Sequence, residues 1–357
     1  MTKFSSAAVT RSEKIACLGV MLLDRAIEIA DASQIATRTY RFGPLTVALQ
    51  TAGREYSQRL TSAIDFACSK DCDAEAFRII ALDSTDPGVG SLPHSEYLRA
   101  YSRQLEQQFE CRSVQLMMRY DAHGDIWRVA SFARRLAVVW TADARRLPDW
   151  EIAAPLRDVL HWASIPTPWF LTHGAAIGAG DNGILFTGPG GSGKSTTTAA
   201  ALLSGLRTGG DDFVLLDPIE REMHALYDSV RLDADGQQRL ANFSAAVINP
   251  SRSATEKAQF RASAVRPNAF APRLRLGAIV LPHLAQAEKT VVAPATQSEV
   301  MRALAPSTLL LLRGGQMETT AKLAALVRST PGFRMELGRD PAEVALTLAG
   351  MMHGRFQ

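Results

Sequence analysis

The residues best suited to chemistry form a glycine-rich stretch that ends in lysine and serine, Gly188-Pro-Gly-Gly-Ser-Gly-Lys194-Ser195. This spacing fits the pattern G-x-x-x-x-G-K-[ST], which binds phosphate when a strand precedes it and a helix follows. Glycines allow the backbone to turn its N–H groups toward a polyphosphate, and the start of the helix adds further donors. A glycine-rich turn without a ligand would explain the glycines but not the Lys-Ser pair. The stretch therefore predicts a nucleotide site.

In such a site Lys194 binds the β- and γ-phosphates, and the hydroxyl of Ser195 is a ligand of the bridging metal ion. The expected cofactors are ATP and Mg²⁺. We expect the nucleotide to contact Gly188, Gly190, Gly191, Ser192, Gly193, Lys194, Ser195 and Thr196.

A nucleotide site also needs an acidic partner, and the sequence offers two candidates. One is Asp217, which ends the apolar run Phe213-Val-Leu-Leu-Asp217, and the other is the acid pair Asp211-Asp212 before that run. Strand residues rise by about 3.3 Å each, so Asp217 lies roughly 20 Å from Asp211 if this run is a strand. Both candidates cannot serve one phosphate. The residues alone leave the choice open.

Residues 172–216, "THGAAIGAGDNGILFTGPGGSGKSTTTAAALLSGLRTGGDDFVLL", resemble the catalytic core of HPr kinase/phosphorylase and its relatives. The shared features are a strand bearing His-Gly, a hairpin, the phosphate loop, a helix and an Asp-Asp pair. The likeness continues faintly at 276–281. It implies an α/β P-loop kinase core related to phosphoenolpyruvate carboxykinase rather than to ordinary ATPases.

The resemblance also implies roles for individual residues. His173 takes the position of the active-site histidine, so the expected catalytic residues are His173, Lys194, Asp211 and Asp212. One aspartate of the pair accepts the proton of the attacking serine hydroxyl, and the other helps to hold Mg²⁺. We assign the metal to Ser195 and Asp212, although the resemblance does not decide which aspartate is the base.

This chain departs from the bifunctional kinases after the acid pair. Their Glu-Ile-Arg-Gly-Leu-Gly signature is absent, and residues 226–235 stand in its place. Here Arg231 could reach a phosphate, or pair with Asp228 or Asp233. The departure argues against phosphorolysis and against HPr as the substrate. It brings the chain closer to short tailoring kinases, among them those that phosphorylate lasso peptide precursors.

A second group of charged residues lies in the segment 251–277. It holds Arg252, Lys257, Arg261, Arg266, Arg273 and Arg275 against the single acid Glu256. A solvated loop is one interpretation, because charge runs are usually exposed. The other is a basic lid in which Lys257 or Arg261 neutralises the transferring phosphoryl group.

Composition and charge limit the alternatives. The 357 residues carry 39 Lys and Arg against 36 Asp and Glu, which does not favour a nucleic-acid partner. The early apolar run 15–23 is too short to span a bilayer. All four cysteines lie within the first 111 residues, which suits a reducing compartment. We expect a cytoplasmic protein with no membrane partner, and an oligomer is possible.

Two domains are predicted. Residues 1–149 alternate strand-like and helix-like patches and predict a mixed α/β domain that recognises the acceptor. Residues 150–357 form the P-loop kinase domain. Within it we expect a helix over 150–163, strands over 170–177 and 183–187, and a helix from Pro341 through Met352.

The sequence thus supports an ATP- and Mg²⁺-dependent kinase that phosphorylates a serine-type hydroxyl of a small protein or peptide. An ATP-binding regulatory module without transfer is the first alternative. A plain ATPase that uses Asp217 and water is the second.

Overall fold

The computed structural model describes residues 10–71, 73, 76–93, 95–240, 247–285 and 287–354. The chain divides into two compact units. The first holds residues 1–39, 47–59 and 70–148, and the second holds residues 40–46, 60–69 and 149–357. The second unit therefore includes two short segments that the sequence analysis placed in the N-terminal domain.

The chain is a mixed α/β protein. The helices in the described residues are α1 (Arg11–Ala32), α2 (Arg54–Thr61), α3 (Ser95–Ala100), α4 (Ser102–Gln107), α5 (Asp149–Ala153), α6 (Arg157–Ser164), α7 (Lys194–Leu203), α8 (Ala234–Arg239), α9 (Ala262–Val265), α10 (Gln297–Leu311), α11 (Gln316–Ser329) and α12 (Pro341–His353).

The strands in the described residues are β1 (Thr37–Phe42), β2 (Leu45–Thr51), β3 (Cys68–Ser69), β4 (Phe77–Asp83), β5 (Phe109–Cys111), β6 (Leu116–Asp121), β7 (Ile126–Ser131), β8 (Leu136–Thr141), β9 (Phe170–His173), β10 (Ala175–Ala179), β11 (Asn182–Phe186), β12 (Arg207–Thr208), β13 (Phe213–Asp217), β14 (Glu222–Ala225), β15 (Val230–Leu232), β16 (Ala258–Phe260), β17 (Arg273–Leu284), β18 (Val291–Ala295) and β19 (Gly332–Leu337).

The N-terminal unit is built on a mixed sheet in which strands follow the order β2-β4-β8-β7-β6-β5. The pairs β2–β4 and β4–β8 are parallel, whereas β7 joins β8 and β6 in antiparallel pairs. Helix α1 buries Ile15, Leu22 and Leu23 in the core of this unit. Its first turn is fixed by a capping box between Thr10 and Glu13.

The second unit is built on a sheet in the order β12-β10-β11-β17-β14-β13-β9, and β19 pairs with both β17 and β18. Strand β11 runs parallel to β17, and β17 runs parallel to β19, so all three end at the same edge. Strand β9 runs antiparallel to β13, so the end of β9 lies beside the start of β13. This arrangement fixes which loops can meet.

Apolar helix faces cover both sides of this sheet. One core joins the strands to α7 through Ala201 and to α12 through Val344 and Leu348. The other joins them to α10 through Leu304 and to α11 through Leu323. The sheet is thus buried on both faces, which agrees with the almost continuous apolar runs of β11 and β13.

Several predicted elements differ in detail from the structure. The strand expected over 170–177 is two strands, because the chain turns at Gly174, where a Cβ would lie 3.1 Å from the Phe186 carbonyl oxygen. The helix expected over 150–163 is two helices, with Leu156 between them at φ +59°. Helix α12 is confirmed, and Asp340 caps it by accepting from the Ala342 amide at 2.9 Å. No helix in the described ranges combines the length and apolar character needed to cross a bilayer.

Candidate phosphate-binding site

Backbone pairing brings three separate segments to one edge of the second sheet. His173 ends β9 and lies opposite Phe213, the first residue of β13. The Gly174 amide donates to the carbonyl oxygen of Asp212 at 3.0 Å. The hydroxyl of Thr187, which follows β11, donates to the carbonyl oxygen of His173 at 3.0 Å. The histidine, the acid pair and the glycine-rich stretch are therefore neighbours.

The glycine-rich stretch, residues 188–193, forms the predicted loop between β11 and α7. Gly191 and Gly193 adopt φ of +78° and +95°, a region that residues with a Cβ rarely occupy. At Gly193 a Cβ would also lie 2.7 Å from Cδ1 of Leu337. Backbone conformation therefore favours glycine at both positions, and at Gly193 a larger residue would also have to displace the Leu337 methyl group.

Lys194 is the first residue of α7, and its side chain turns back over the loop. Its Nζ donates to the carbonyl oxygens of Gly188 at 2.7 Å and Pro189 at 3.0 Å. Burial lowers the pKa of Lys194, and the carboxylates of Asp211 and Asp212 act in the opposite direction. The ammonium group thus lies at the loop and within the field of the acid pair.

The two aspartates of the acid pair have different surroundings. Asp211 is 2% exposed, and its Oδ2 accepts from the Arg231 amide at 3.1 Å. Burial and the charge of Asp212 raise the pKa of Asp211 to about 6, while the Arg231 amide and the Ser195 hydroxyl lower it. Its Oδ1 is buried and has no hydrogen-bond partner among the described residues. Asp211 is therefore the acid beside Ser195.

Asp212 is less buried and is ion-paired. Its Oδ2 lies 3.1 Å from Nη1 of Arg231. Burial raises the pKa of Asp212, but Arg231, His173 and Lys257 outweigh burial, so its pKa lies below the usual value. Arg231 pairs with neither Asp228 nor Asp233, the two partners considered from the sequence. Asp228 accepts instead from Ser263, and Asp233 caps α8.

His173 is 8% exposed, and its ring lies 5.5 Å from that of Phe213. Burial lowers the pKa of His173 to about 4, and the charge of Lys194 adds to this, while Asp212 opposes it. The imidazole is therefore neutral near pH 7. Its Nδ1 is buried and has no hydrogen-bond partner in the described part of the chain.

These groups surround a pocket of about 290 Å³. Eight of the predicted site residues line it: His173, Gly190, Gly191, Gly193, Lys194, Ser195, Thr196 and Asp212. Three others, Gly188, Ser192 and Asp211, do not line it. Gly188 and Ser192 belong to the loop itself, and Asp211 is buried with a hydrogen bond to the Ser195 hydroxyl.

The pocket has a basic wall that the sequence analysis found only in part. Lys257, Arg239 and Arg339 line it. The sequence offered Lys257 and Arg261 as the cations of a basic lid. Lys257 lies at the pocket, whereas Arg261 donates to the Ser62 hydroxyl and to the Asp228 carbonyl oxygen. Arg239 and Arg339 come from distant parts of the chain and carry no local signal that separates them from solvated surface charges.

Asp217 lies outside the pocket. Its Oδ1 accepts from the amides of Ile219 at 2.9 Å and Glu220 at 3.1 Å, so the carboxylate stabilises the turn after β13. Of the two acidic candidates, the structure brings only Asp211-Asp212 to the phosphate loop.

Two oxygen atoms of the site suit a metal ion. No group of three or more His, Cys, Asp or Glu side chains within the described ranges could hold a metal ion. The Ser195 hydroxyl and the free Oδ1 of buried Asp211 are adjacent oxygen donors, which are the ligands that Mg²⁺ prefers. These two residues therefore fit a Mg²⁺ ion.

Comparisons with known proteins add little. A scan against protein-family models and a search of curated proteins both found no match. Among solved structures, the HPr(Ser) kinase/phosphatase from Coxiella burnetii matches over 52% of this chain and 97% of its own, with 12% sequence identity and a TM-score of 0.29. A similarity at that TM-score does not by itself establish a shared fold or activity.

Proposed function

We propose that this chain is an ATP-dependent phosphotransferase that phosphorylates a serine-type hydroxyl of a small protein or peptide. One observation supports this most strongly. A single pocket holds the phosphate-loop residues Lys194 and Ser195 together with Asp212, a carboxylate that is ion-paired with Arg231. A kinase needs these two components, because phosphoryl transfer depends mostly on positioning and charge neutralisation.

Asp212 acts as the base in this proposal. Its lowered pKa keeps it ionised at neutral pH, and it lines the pocket, whereas Asp211 does not. The acceptor oxygen forms a bond to the γ-phosphorus while the bond to the β–γ bridging oxygen breaks. The electron pair of that bond leaves with ADP, and the proton of the acceptor hydroxyl passes to Asp212. Arg231 orients the carboxylate for this step.

Ser195 and Asp211 would hold Mg²⁺. From the sequence we assigned the metal to Ser195 and Asp212, so the proposal moves this role from Asp212 to Asp211. Mg²⁺, when bound, neutralises charge that develops on the β- and γ-phosphates. Lys194 gives up its two loop carbonyls and binds the same phosphates. His173 lines the same pocket as Asp212, and burial keeps its imidazole neutral near pH 7.

The proposed class of phosphate acceptor is based on the resemblance of the sequence to HPr kinase/phosphorylase and its relatives. A peptide precursor, as in lasso peptide kinases, fits the departure from the bifunctional signature better than HPr does. The proposal includes a cytoplasmic location, recognition of the acceptor by the N-terminal domain over residues 1–149, and the possibility of an oligomer.

An Asn series at the three aspartates tests the proposal. Asp212→Asn keeps volume and hydrogen bonds but removes the base, so transfer should fall by about 10²- to 10⁴-fold. Asp217→Asn should cost less than about tenfold, because this carboxylate makes no contact in the pocket. The measurement is transfer from γ-labelled ATP to a panel of serine-containing peptides and to HPr, with ATP turnover measured in parallel. An inactive Asp217→Asn beside active Asp211→Asn and Asp212→Asn would reject the kinase in favour of the ATPase.

A further inference from the structure

One side of the phosphate pocket is apolar, and the proposed transfer gives it no role. It consists of Leu284, Leu337, Pro341 and Val344, which we call the apolar wall. Leu284 ends β17, Leu337 ends β19, and the other two lie in the first turn of α12. Leu337 and Val344 are buried, whereas Leu284 is 54% exposed and offers the accessible apolar surface of the wall. Phosphate oxygens gain nothing from such a surface, so it suits another part of a ligand.

The apolar wall lies on the opposite side of the phosphate loop from the acid pair. The Gly174 amide donates to the carbonyl oxygen of Asp212, and the strand that follows, β10, pairs with β11. Strand β11, which leads into the loop, pairs on its other edge with β17, and β17 pairs with β19. Neighbouring strands lie about 4.8 Å apart, so the acid pair, the loop and the apolar wall follow one another in this order. A nucleotide with its γ-phosphate at Asp212 therefore extends across the loop toward the apolar wall.

The two leucines lie directly against the end of the loop. A Cβ at Gly193 would lie 2.7 Å from Cδ1 of Leu337 and 3.3 Å from Cδ2 of Leu284. On the side of the acid pair the pocket is lined by charged residues instead, among them Asp233, which follows β15, and Lys257, which precedes β16. A flat and largely apolar group therefore fits the side of the leucines and not the side of the acid pair.

The turn between β19 and α12 places a cation at the border of the apolar wall. Arg339 lines the pocket and is exposed, and its side chain has no ion pair or hydrogen bond within the ranges that the structure describes. Its amide donates to the Ala287 carbonyl oxygen at 3.2 Å, and the Gly338 amide donates to the Thr290 hydroxyl at 3.2 Å. These main-chain bonds hold the turn in place, while the guanidinium group is available to a ligand.

We propose that the apolar wall is the subsite for the base of the nucleotide, and that it selects a purine. The inference rests on the proposed function, because the phosphate loop must hold the triphosphate. The face of the base lies against Leu284, and Arg339 donates to N7, an acceptor that adenine and guanine share. Pyrimidines have no acceptor that corresponds to N7 and offer a smaller apolar face. Both contacts are open to GTP as well as to ATP, so the subsite accepts either nucleotide.

Calorimetry on the full chain with Mg²⁺ tests the subsite without an acceptor. The probes are ATP, GTP, CTP and UTP. Ribose 5-triphosphate is the reference ligand, since it keeps the sugar and the phosphates but has no base. We expect ATP and GTP each to bind at least about fivefold more tightly than CTP, UTP or ribose 5-triphosphate.

Three variants locate the subsite. Leu284→Ala and Arg339→Ala should each weaken ATP binding about fivefold to tenfold, through the loss of apolar contact and of one hydrogen bond. Neither should change the affinity for ribose 5-triphosphate by more than about twofold, because the phosphate loop is intact. Leu346→Ala is the matched control, since Leu346 is 69% exposed on α12 and does not line the pocket. It should bind ATP as the unchanged chain does.

The other possible results each reject a defined part of the proposal. If ATP binds no more tightly than ribose 5-triphosphate, the base subsite is wrong while the phosphate site stands. If none of the triphosphates binds, the proposed function fails and the subsite fails with it. An equal loss of ATP and of ribose 5-triphosphate in Arg339→Ala would assign Arg339 to the phosphates and overturn its contact with the base. CTP and UTP that bind as tightly as ATP would overturn the selection of purines.

Discussion

Arg231 contacts both aspartates of the acid pair, but through different groups. Its Nη1 lies 3.1 Å from Oδ2 of Asp212, and its backbone amide donates to Oδ2 of Asp211 at 3.1 Å. Any substitution of Arg231 except proline keeps the main-chain bond to Asp211, whereas the side-chain bond to Asp212 requires arginine. A substitution of Arg231 therefore changes the surroundings of Asp212 and leaves the bond to Asp211 in place.

Arg231→Ala should reduce phosphoryl transfer by about 10- to 100-fold while ATP affinity stays within a few-fold, because the variant loses the group that orients the base but keeps the phosphate loop. Steady-state kinetics and calorimetry with ATP give the two quantities. Arg252→Ala is the control, since Arg252 bonds to Gln237 rather than to an acid. A variant that loses ATP binding but not turnover would contradict the assignment.

Lys194→Ala should abolish detectable transfer and weaken ATP binding by at least tenfold, because Lys194 provides the phosphate-binding charge of the loop. The fold should persist, since the lysine contacts loop carbonyls and not the apolar core. Calorimetry measures the affinity, and circular dichroism checks the fold. Lys14→Ala, at an exposed position of α1, is the matched control. Unchanged affinity in Lys194→Ala would refute the nucleotide site.

Lys257 and Arg261 test the basic segment. Lys257 lines the pocket, whereas Arg261 is bonded to Ser62 and to the carbonyl of Asp228. Lys257→Ala should lower kcat by about tenfold or more through lost stabilisation of transferring charge. Arg261→Ala should lower Tm and leave kcat nearly unchanged. The reverse pattern would move the functional cation to Arg261.

Transfer should also depend on pH through Asp211, whose pKa is raised to about 6. The carboxyl must be ionised to hold Mg²⁺, so activity at limiting Mg²⁺ should fall as pH drops through about 6. More Mg²⁺ should restore it, since metal and proton compete for one group. Rates from pH 5 to 8 at two Mg²⁺ concentrations provide the measurement. If the loss of activity at low pH does not depend on the Mg²⁺ concentration, Asp211 is not the group that causes it.

The same shift has a consequence for stability. The pKa of Asp211 is higher in the folded chain than in the unfolded chain, so the protonated carboxyl group stabilises the folded state. This contribution to the free energy of unfolding is fully present below about pH 4 and is lost as pH rises through about 6. Asp211→Asn stays neutral and should therefore raise the free energy of unfolding at pH 7.5 by about 1–3 kcal/mol without metal or nucleotide. Urea unfolding at pH 4.5 should show no such gain. Equal stability at pH 7.5 would mean that the carboxylate is not penalised by burial.

Local features were predictable from the sequence. The strand before Gly188 and the helix that begins at Lys194 follow from a motif whose residues are adjacent, and α12 follows from Asp340 and Pro341. Glu343 shows the limit of such reasoning. Its place in the first turn of α12 would let it reach back to the helix start, but its carboxylate accepts from the amide and hydroxyl of Thr290, which is 53 residues away.

Contacts across the sheet could not be predicted in the same way. Arg231 meets Asp212 across 19 residues, and Lys257 and Arg339 reach the pocket from opposite sides of β17 in the sequence. These approaches depend on the strand order, in which β17 lies between β11 and β14. A single sequence carries no local pattern for that order, so neither the Arg231–Asp212 pair nor the place of Arg339 at the pocket could be predicted from it.

The ammonium group of Lys194 is bonded to the carbonyl oxygens of Gly188 and Pro189, so these oxygens compete with phosphate for the lysine. Each arriving phosphate exchanges with carbonyl oxygens rather than with bulk water alone. The net heat of association is then smaller than the count of new contacts suggests, because two bonds break as others form. In return, the loop does not need to be ordered at the moment of encounter. Dissociation should therefore be assisted by the same carbonyls, because the ammonium group can return to them as the phosphate leaves.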